Sequence, residues 1–495
     1  MIIFSRKIGR RIFLAGLLGL AGGSVIYWAR FTAVERIVGF LLHRAGAEDV
    51  VFHVSEASPW GFALEEVGFK VKTNGFSARR VAVARPHWWT PSLGVIRVEQ
   101  ASWPLTIDGS DVDARAWPTY KNSGTVRFPA SVPAEEVFID GQLILRAAAV
   151  PEQALSVKLE AHMAAGNTWT GKFQMDGPGL GVKGVFRHNL ANDQFDFSLP
   201  DIALDLKNWQ SFVQRLVLFP AGPWVMAGKF SGHAEGRWAG RTFTSTGTIH
   251  LRDGRVREEA KDITAEGIEA DLEFTDIDQL LTKPGAVRIR ELRIGTFPLR
   301  ALSAEIAMAG SDRFTVSGLS FQAFGGRASA APFNYFPSLR ELEAVLRVDD
   351  LRIEEVLAVT DGLPAKATGR VNGGFPIRVD DSGIRLGTGW LGLPAGAGAE
   401  LQLQSKGLLT GGLSERGPGY AVLQKIESGL LKLALSELRL DIRPPDAPPG
   451  RSARLRISGS AVDSGVRVPV VIELFVSGPL EGLVNLGLDS RARSR

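Results

Sequence analysis

The side chains best suited to covalent or metal chemistry are thinly spread along this chain. Its seven histidines are His43, His53, His87, His162, His188, His233 and His250, and none falls within four residues of another. The H-E-x-x-H spacing that holds a zinc ion is therefore absent. Each histidine is read as lying on a solvated strand face or in a turn. Gly179-Leu180-Gly181-Val182-Lys183-Gly184 matches G-x-G-x-x-G. A pyrophosphate site needs a helix to open directly behind such glycines. Val185 to Asn189 and the Phe195 segment, next along the chain, read as strand, so these glycines are expected in a turn between strands. Glu354/Glu355 and Asp380/Asp381 are ordinary surface carboxylate pairs. No G-x-S-x-G elbow or phosphate-binding loop occurs. Zero cysteines remove disulfides, thiolate metal sites, a cysteine nucleophile and a lipidated-cysteine anchor together. No catalytic, metal or cofactor site is expected, and the chain is not read as an enzyme. Lys+Arg 57 against Asp+Glu 53 leaves 57 − 53 = +4 over 495 residues, which gives no nucleic-acid footprint.

Most of the chain alternates with the period of a strand. Leu155, Val157, Leu159, Ala161 and Met163 point one way, and Ser156, Lys158, Glu160 and His162 the other. Trp169, Phe173 and Met175 repeat the pattern, followed by Phe195, Phe197 and Leu199. Val287 and Ile289 alternate with Arg288 and Arg290. The register then slips by one, so that Leu292 and Ile294 flank Arg293, as a bulge or bend requires. Leu431, Leu433 and Leu435 form a later dry face, as do Leu455 and Ile457. Turn signals are read at Asp176-Gly177-Pro178-Gly179, Asp253-Gly254, Asn372-Gly373 and Asp381-Ser382-Gly383.

Helices are few. Thr32 to Ala47, within a 31–50 segment, carries Val34, Ile37, Val38, Leu41 and Leu42 at helical spacing. Leu206 to Leu218, with Trp209, Phe212, Val213 and Leu216 on one stripe, and Leu351 to Val359 are the others. Ahead of them, Ile12 to Ala29 holds eighteen residues without a charge. It includes Ile12, Leu14, Leu17, Leu18, Leu20, Val25, Ile26 and Trp28. As a helix it would span about 27 Å, close to a bilayer's hydrocarbon thickness. Arg6, Lys7, Arg10 and Arg11 precede it and place the N-terminus in the cytoplasm by the positive-inside rule. A cleaved signal peptide is the competing reading, although a cut after Ala29 would put Tyr27 at the −3 position. Gly19 and Gly23 form a G-x-x-x-G that is read as incidental to such helices.

The expected fold is mainly β. A transmembrane anchor in residues 1–30 is followed by a curled antiparallel sheet over 51–490, forming an elongated groove-like rod, and by a basic tail at 491–495. Too few helices are foreseen to cover so many dry faces. At roughly 13 residues per strand and turn, about 35 strands would stack at about 4.8 Å each into a rod of about 170 Å.

Several segments resemble the YdbH family of AsmA-like proteins. The Leu351–Val359 helix is followed by Thr360 to Leu391, where Gly369, Gly373 and Pro376, with Gly374 adjacent, match a G-x-x-x-G-x-x-P pattern and mark the family-motif turn. Leu280 to Leu299, Ala323 to Tyr335, Tyr420 to Ile442 and Val468 to Val484 carry further likeness, best over about 271–490. The resemblance implies a single-pass inner-membrane protein with its bulk in the periplasm of a Gram-negative bacterium. It implies phospholipid traffic to the outer membrane and a small outer-membrane lipoprotein partner near the C-terminal end. The candidate groove lining is Leu155, Val157, Leu159, Met163, Phe173, Met175, Phe195, Phe197, Val287, Ile289, Leu431, Leu433 and Leu435. The residues leave three functions, in order of preference: a lipid conduit, an assembly scaffold for outer-membrane proteins that uses a strand edge, and a binding solenoid with a filled interior.

Overall fold

A computed structural model describes residues 29–44, 46–71, 74–85, 93–107, 134–147, 150–164, 167–216, 224–239, 242–258, 262–295, 297–339, 341–359, 365–380, 383–404, 407, 409–411, 414–417, 419–443, 451–463 and 466–477. The anchor expected over residues 12–29 lies outside them except for Ala29, and so does the basic tail. Among the described residues, no helix is long and apolar enough to cross a membrane.

The chain divides into two units, one comprising residues 1–218 and 231–245 and the other 219–230 and 246–495. The first opens on helix α1, residues 29–44. It ends three residues before the expected Ala47 because Gly46 takes a left-handed φ of 86°. There the Gly46 and Ala47 N–H groups bond back to the His43 and Leu42 carbonyls at 3.0 Å, a glycine cap. Nine strands come after it: β1 (Glu48–Ser58), β2 (Gly61–Val71), β3 (Asn74–Ala84), β4 (Leu93–Ile107), β5 (Ala134–Ala147), β6 (Val150–Ala164), β7 (Thr168–Gly177), β8 (Leu180–Asn189) and β9 (Gln194–Asp205). Helix α2 (Leu206–Leu216) comes next, then β10 (Trp224–Ala239) and β11 (Thr242–Glu258), which have residues in each unit.

Neighbours in sequence pair antiparallel from β1 to β4 and from β5 to β9. The pair β4–β5 departs from the expected antiparallel pattern, since its strands run parallel. A parallel pair needs a long crossover, and residues 108–133 stand between the two strands.

The second unit continues with β12 (Ile263–Asp276), β13 (Leu281–Thr282), β14 (Gly285–Ile294), β15 (Phe297–Met308), β16 (Phe314–Ala323), β17 (Gly326–Ala330), β18 (Phe333–Phe336) and β19 (Glu341–Arg352). After helix α3 (Ile353–Val359) come β20 (Ala365–Thr368), β21 (Arg370–Asp380), β22 (Gly383–Leu386), β23 (Gly389–Gly392) and β24 (Ala399–Leu403). Helix α4 (Tyr420–Glu427), which the sequence reading did not foresee, precedes β25 (Leu433–Ile442), β26 (Arg451–Asp463) and β27 (Val466–Ser477). The 27 strands among the described residues are fewer than the roughly 35 expected, because many run 10 to 17 residues.

Two turn assignments need correction. Asp253-Gly254 lies inside β11 and Asn372-Gly373 inside β21. Asp253 has φ 52° at a register shift, so the pair makes a bulge rather than a strand end. Gly373 sits where β23 approaches so closely that a Cβ would collide with the Trp390 carbonyl. The family-motif glycines therefore form no turn: Gly369 stands just before β21, and Gly373, Gly374 and Pro376 are within it. The slip after Ile289 is present. Arg290 lies between left-handed residues on both neighbouring strands, Gly267 (φ 63°) and Ala301 (φ 49°). The pairing stays one-to-one across these three residues, so the slip is a kink shared by adjacent strands rather than a bulge.

Candidate functional site

In the first unit, cross-strand register builds a continuous apolar face. Ile139, Leu159 and Phe173 are direct partners across β5, β6 and β7, and the row ends on Gly184 of β8. The next row carries Val157, Met175, Val182 and Ile202, and Leu143 pairs with Leu155 beyond it. On the other side, Met163 pairs with Trp169, Trp169 with His188, and His188 with Phe195, while Phe186 pairs with Phe197. The eight candidates from Leu155 to Phe197, on β6, β7 and β9, thus share one side of the sheet. The opposite side is wet: Lys172 and Glu160 form an ion pair at 2.8 Å, and Arg237 and Asp196 one at 2.5 Å. The Arg237 guanidinium holds the Asp196 carboxyl below the usual carboxylate range.

Among the described residues, little covers this face. Leu155 is 3% exposed, but Val157, Leu159, Met163, Phe173, Met175, Phe195 and Phe197 are only half-buried. The cover over Leu155 is α2, whose Trp209 packs on Leu143, Leu145, Leu155, Leu180 and Leu204. Asp205 caps α2 through its carboxylate to the Lys207 N–H at 3.0 Å, and the Trp209 indole N–H donates to the Pro178 carbonyl at 3.0 Å. The side chains of Phe212, Val213 and Leu216 lie outside the described residues.

Glycines give the floor its flatness. Phe173 lies over Gly184, where a Cβ would come within 2.5 Å of the ring, and Phe186 lies over Gly171 at 2.6 Å. Phe197 is seated on Gly236 in the same way. Two glycines of the G-x-G-x-x-G run thus have separate roles, Gly179 in the turn (φ 69°) and Gly184 as the Phe173 seat. Only Gly179 is in the expected turn; Gly181 and Gly184 lie within β8, and no helix opens behind the run. His188 corrects the reading of histidines as solvated. Its side chain is 13% exposed in the apolar row, and its Nε2 lies 3.3 Å from the Asp193 carboxylate at the β8–β9 turn.

At the start of this unit, Phe31, Val34 and Val38 of α1 pack onto a cluster of Val54, Ala57, Leu64, Val67, Ala78 and Ala101. Ile37 and Leu41 of the expected stripe turn outward, with Ile37 60% exposed.

In the second unit, Val287 pairs with Ala270 and Ala304, and Ile289 with Ile268 and Leu302, and both candidates are half-buried. Leu431, Leu433 and Leu435 sit elsewhere, in a cluster covered by α3 and α4. Leu433 is 1% exposed and Ile426 of α4 is fully buried. Leu433 and Leu435 are therefore in a closed core, with Leu431 half-buried against it, separate in character from the open floor of the first unit.

Glu427 is the functional-looking residue that sequence reasoning missed. It is buried, and its carboxylate accepts from the Gly407, Leu409 and Thr410 N–H groups at 2.8–3.0 Å and from the Thr410 hydroxyl at 2.6 Å. Burial, the largest single influence, pushes its pKa up, but the four donors together outweigh it and hold the group at about 2. The signal for its helix was Gly417-Pro418-Gly419 ahead of Tyr420, Leu423 and Ile426 at helical spacing.

The second unit also has a cavity of about 650 Å³ lined by Trp390, Glu437, Arg439, Asp441, Arg454 and Glu473, among others. Its charges satisfy one another: Asp441 pairs with Arg439 at 2.8 Å and with Arg454 at 3.3 Å. Among the described residues, no group of three or more His, Cys, Asp or Glu could hold a metal ion.

Among the described residues, the first unit's sheet keeps one apolar side poorly covered, a surface suited to hydrocarbon chains. Comparison with protein families agrees. Residues 90–404 match the YdbH-like family, described as "Intermembrane phospholipid transport protein YdbH", and the chain belongs to that family. The match takes in strands well ahead of the expected 271 and stops short of Tyr420–Ile442 and Val468–Val484. No curated protein and no solved structure matches the chain.

Proposed function

We propose that this chain conducts phospholipids between membranes by holding their acyl chains against the uncovered apolar face. The observation that carries this reading is the half-buried floor of β6–β9, from Val157 to Phe197, in a chain of a phospholipid-transport family. Each methylene moved from water onto that floor contributes about 0.8 kcal/mol, so two tails would offset much of the loss of bilayer contact. The headgroup stays in water. Val287 and Ile289 supply apolar lining of their own in the second unit. The residues 12–29 anchor the chain in the inner membrane with the bulk of it in the periplasm. The edge of β27 that faces away from its partner β26 is where a small lipoprotein adds a strand.

The test is a charge on the floor. Leu159→Asp, Phe173→Asp and Ile289→Asp are each expected to lower lipid transfer between donor and acceptor vesicles by about tenfold or more, with circular dichroism unchanged. Normal transfer by all three folded variants would contradict the conduit. Envelope function that survives these charges but is lost on blocking the β27 edge would favour the scaffold instead.

A further inference from the structure

The two rims of the first unit's apolar face differ in chemistry, and the difference orders a lipid. One rim carries the β7–β8 turn at Pro178-Gly179 and the end of β9. There α2 closes the face: Trp209 is 7% exposed on Leu143, Leu145, Leu155, Leu180 and Leu204, with its indole N–H already bonded to Pro178. This rim offers a dry dead end. The opposite rim carries the end of β6, the start of β7, the β8–β9 turn, the end of β10 and the start of β11, and there the face becomes aromatic. Ring centroids step from Phe186 to Phe195 at 5.8 Å, from Phe195 to Phe197 at 6.3 Å, from Phe197 to Phe243 at 6.2 Å and from Phe243 to Trp238 at 6.2 Å. Trp238 is 37% exposed. His188 stands edge-on to Phe195 at 5.9 Å and meets Asp193, which is 88% exposed, at the turn.

Aromatic rings beside polar groups favour the boundary between hydrocarbon and water, where one edge is dry and the other wet. From Val157, next to the α2-covered row, to Met163, in the aromatic row, is six residues, or about 20 Å of strand. One leaflet of hydrocarbon is about 15 Å deep. A phospholipid therefore fits along the strands with its tails toward α2 and its glycerol and headgroup at the aromatic rim.

We infer that the first unit binds phospholipid in this single orientation: headgroups at the Trp169–His188–Phe195–Trp238 rim and tail ends at the Trp209 rim. The inference rests on the conduit reading and adds a direction to it.

Because the chain has zero cysteines, single reporters can be placed freely. Leu180→Cys at the α2 rim and Phe195→Cys at the aromatic rim would each be labelled with bimane in the full, delipidated chain. Each is then mixed with phosphatidylcholine carrying a nitroxide on its headgroup or at its tail end. The headgroup nitroxide is expected to quench the position-195 label at least about twofold more than the position-180 label, and the tail-end nitroxide the reverse, because the sites lie in opposite chemical zones. Should Phe195→Cys fail to fold, Trp169→Cys reports from the same rim. Equal quenching at both rims, or the opposite order, overturns the orientation while leaving the conduit standing. No quenching of either label by either lipid removes the conduit as well.

Discussion

Glu427 shows how much one side chain organises. Its folded pKa of about 2 lies below the ordinary value of 4.5. It therefore adds stability that is fully present above about pH 4.5 and is lost as pH falls from there toward 2. Asp271, held low by His250 and Arg252, adds to the same slope. Thermal melts of the second unit's signal should fall across that window, and Glu427→Gln should melt lower at pH 7 and flatten the fall. A variant as stable as the parent at pH 7 would show that the four donors find other partners. The aromatic seats make a second residue-scale prediction. Gly184→Val pushes a branched side chain under Phe173 and is expected to cost about 1–3 kcal/mol in denaturant unfolding. Unchanged stability would mean that the ring does not rest there in solution.

At the scale of elements, period-two alternation made β6 and β7 legible down to which side chains share a face, since Leu159 and Phe173 were assigned to the dry side and are direct partners. Helices α2 and α3 were legible in the sequence, although α3 starts at Ile353, because Leu351 and Arg352 complete β19. Helix α4 was not, because eight residues beside a glycine-rich stretch give barely two turns of signal. Alternation also could not distinguish a floor from a core. Leu159 and Leu433 sit in indistinguishable patterns, yet one is half-buried and the other sealed under α4. His188 was misread for a related reason: a polar residue at an inward position is invisible until register is known. The open and closed surfaces predict different responses to a charge. Leu159→Asp is expected to cost about 1 kcal/mol, and Leu433→Asp about 4 kcal/mol or more, enough to unfold the second unit. Urea titration of both would separate them, and equal losses would mean that the floor is as sealed as the core. Trp209→Ala should release α2, at about 3 kcal/mol, and raise amide exchange over Leu206–Leu216.

Across the whole molecule, the proposed phospholipid path rests on the floor and the family together. The most direct measurement places a photo-activated benzophenone side chain in the living envelope at Leu159, on the dry side, and in a second strain at its neighbour Lys158, on the wet side. After illumination and purification, mass spectrometry should find phospholipid joined to position 159 and not to position 158. Adducts to polypeptide at 159, or phospholipid at both positions alike, would contradict a lipid path along the apolar face.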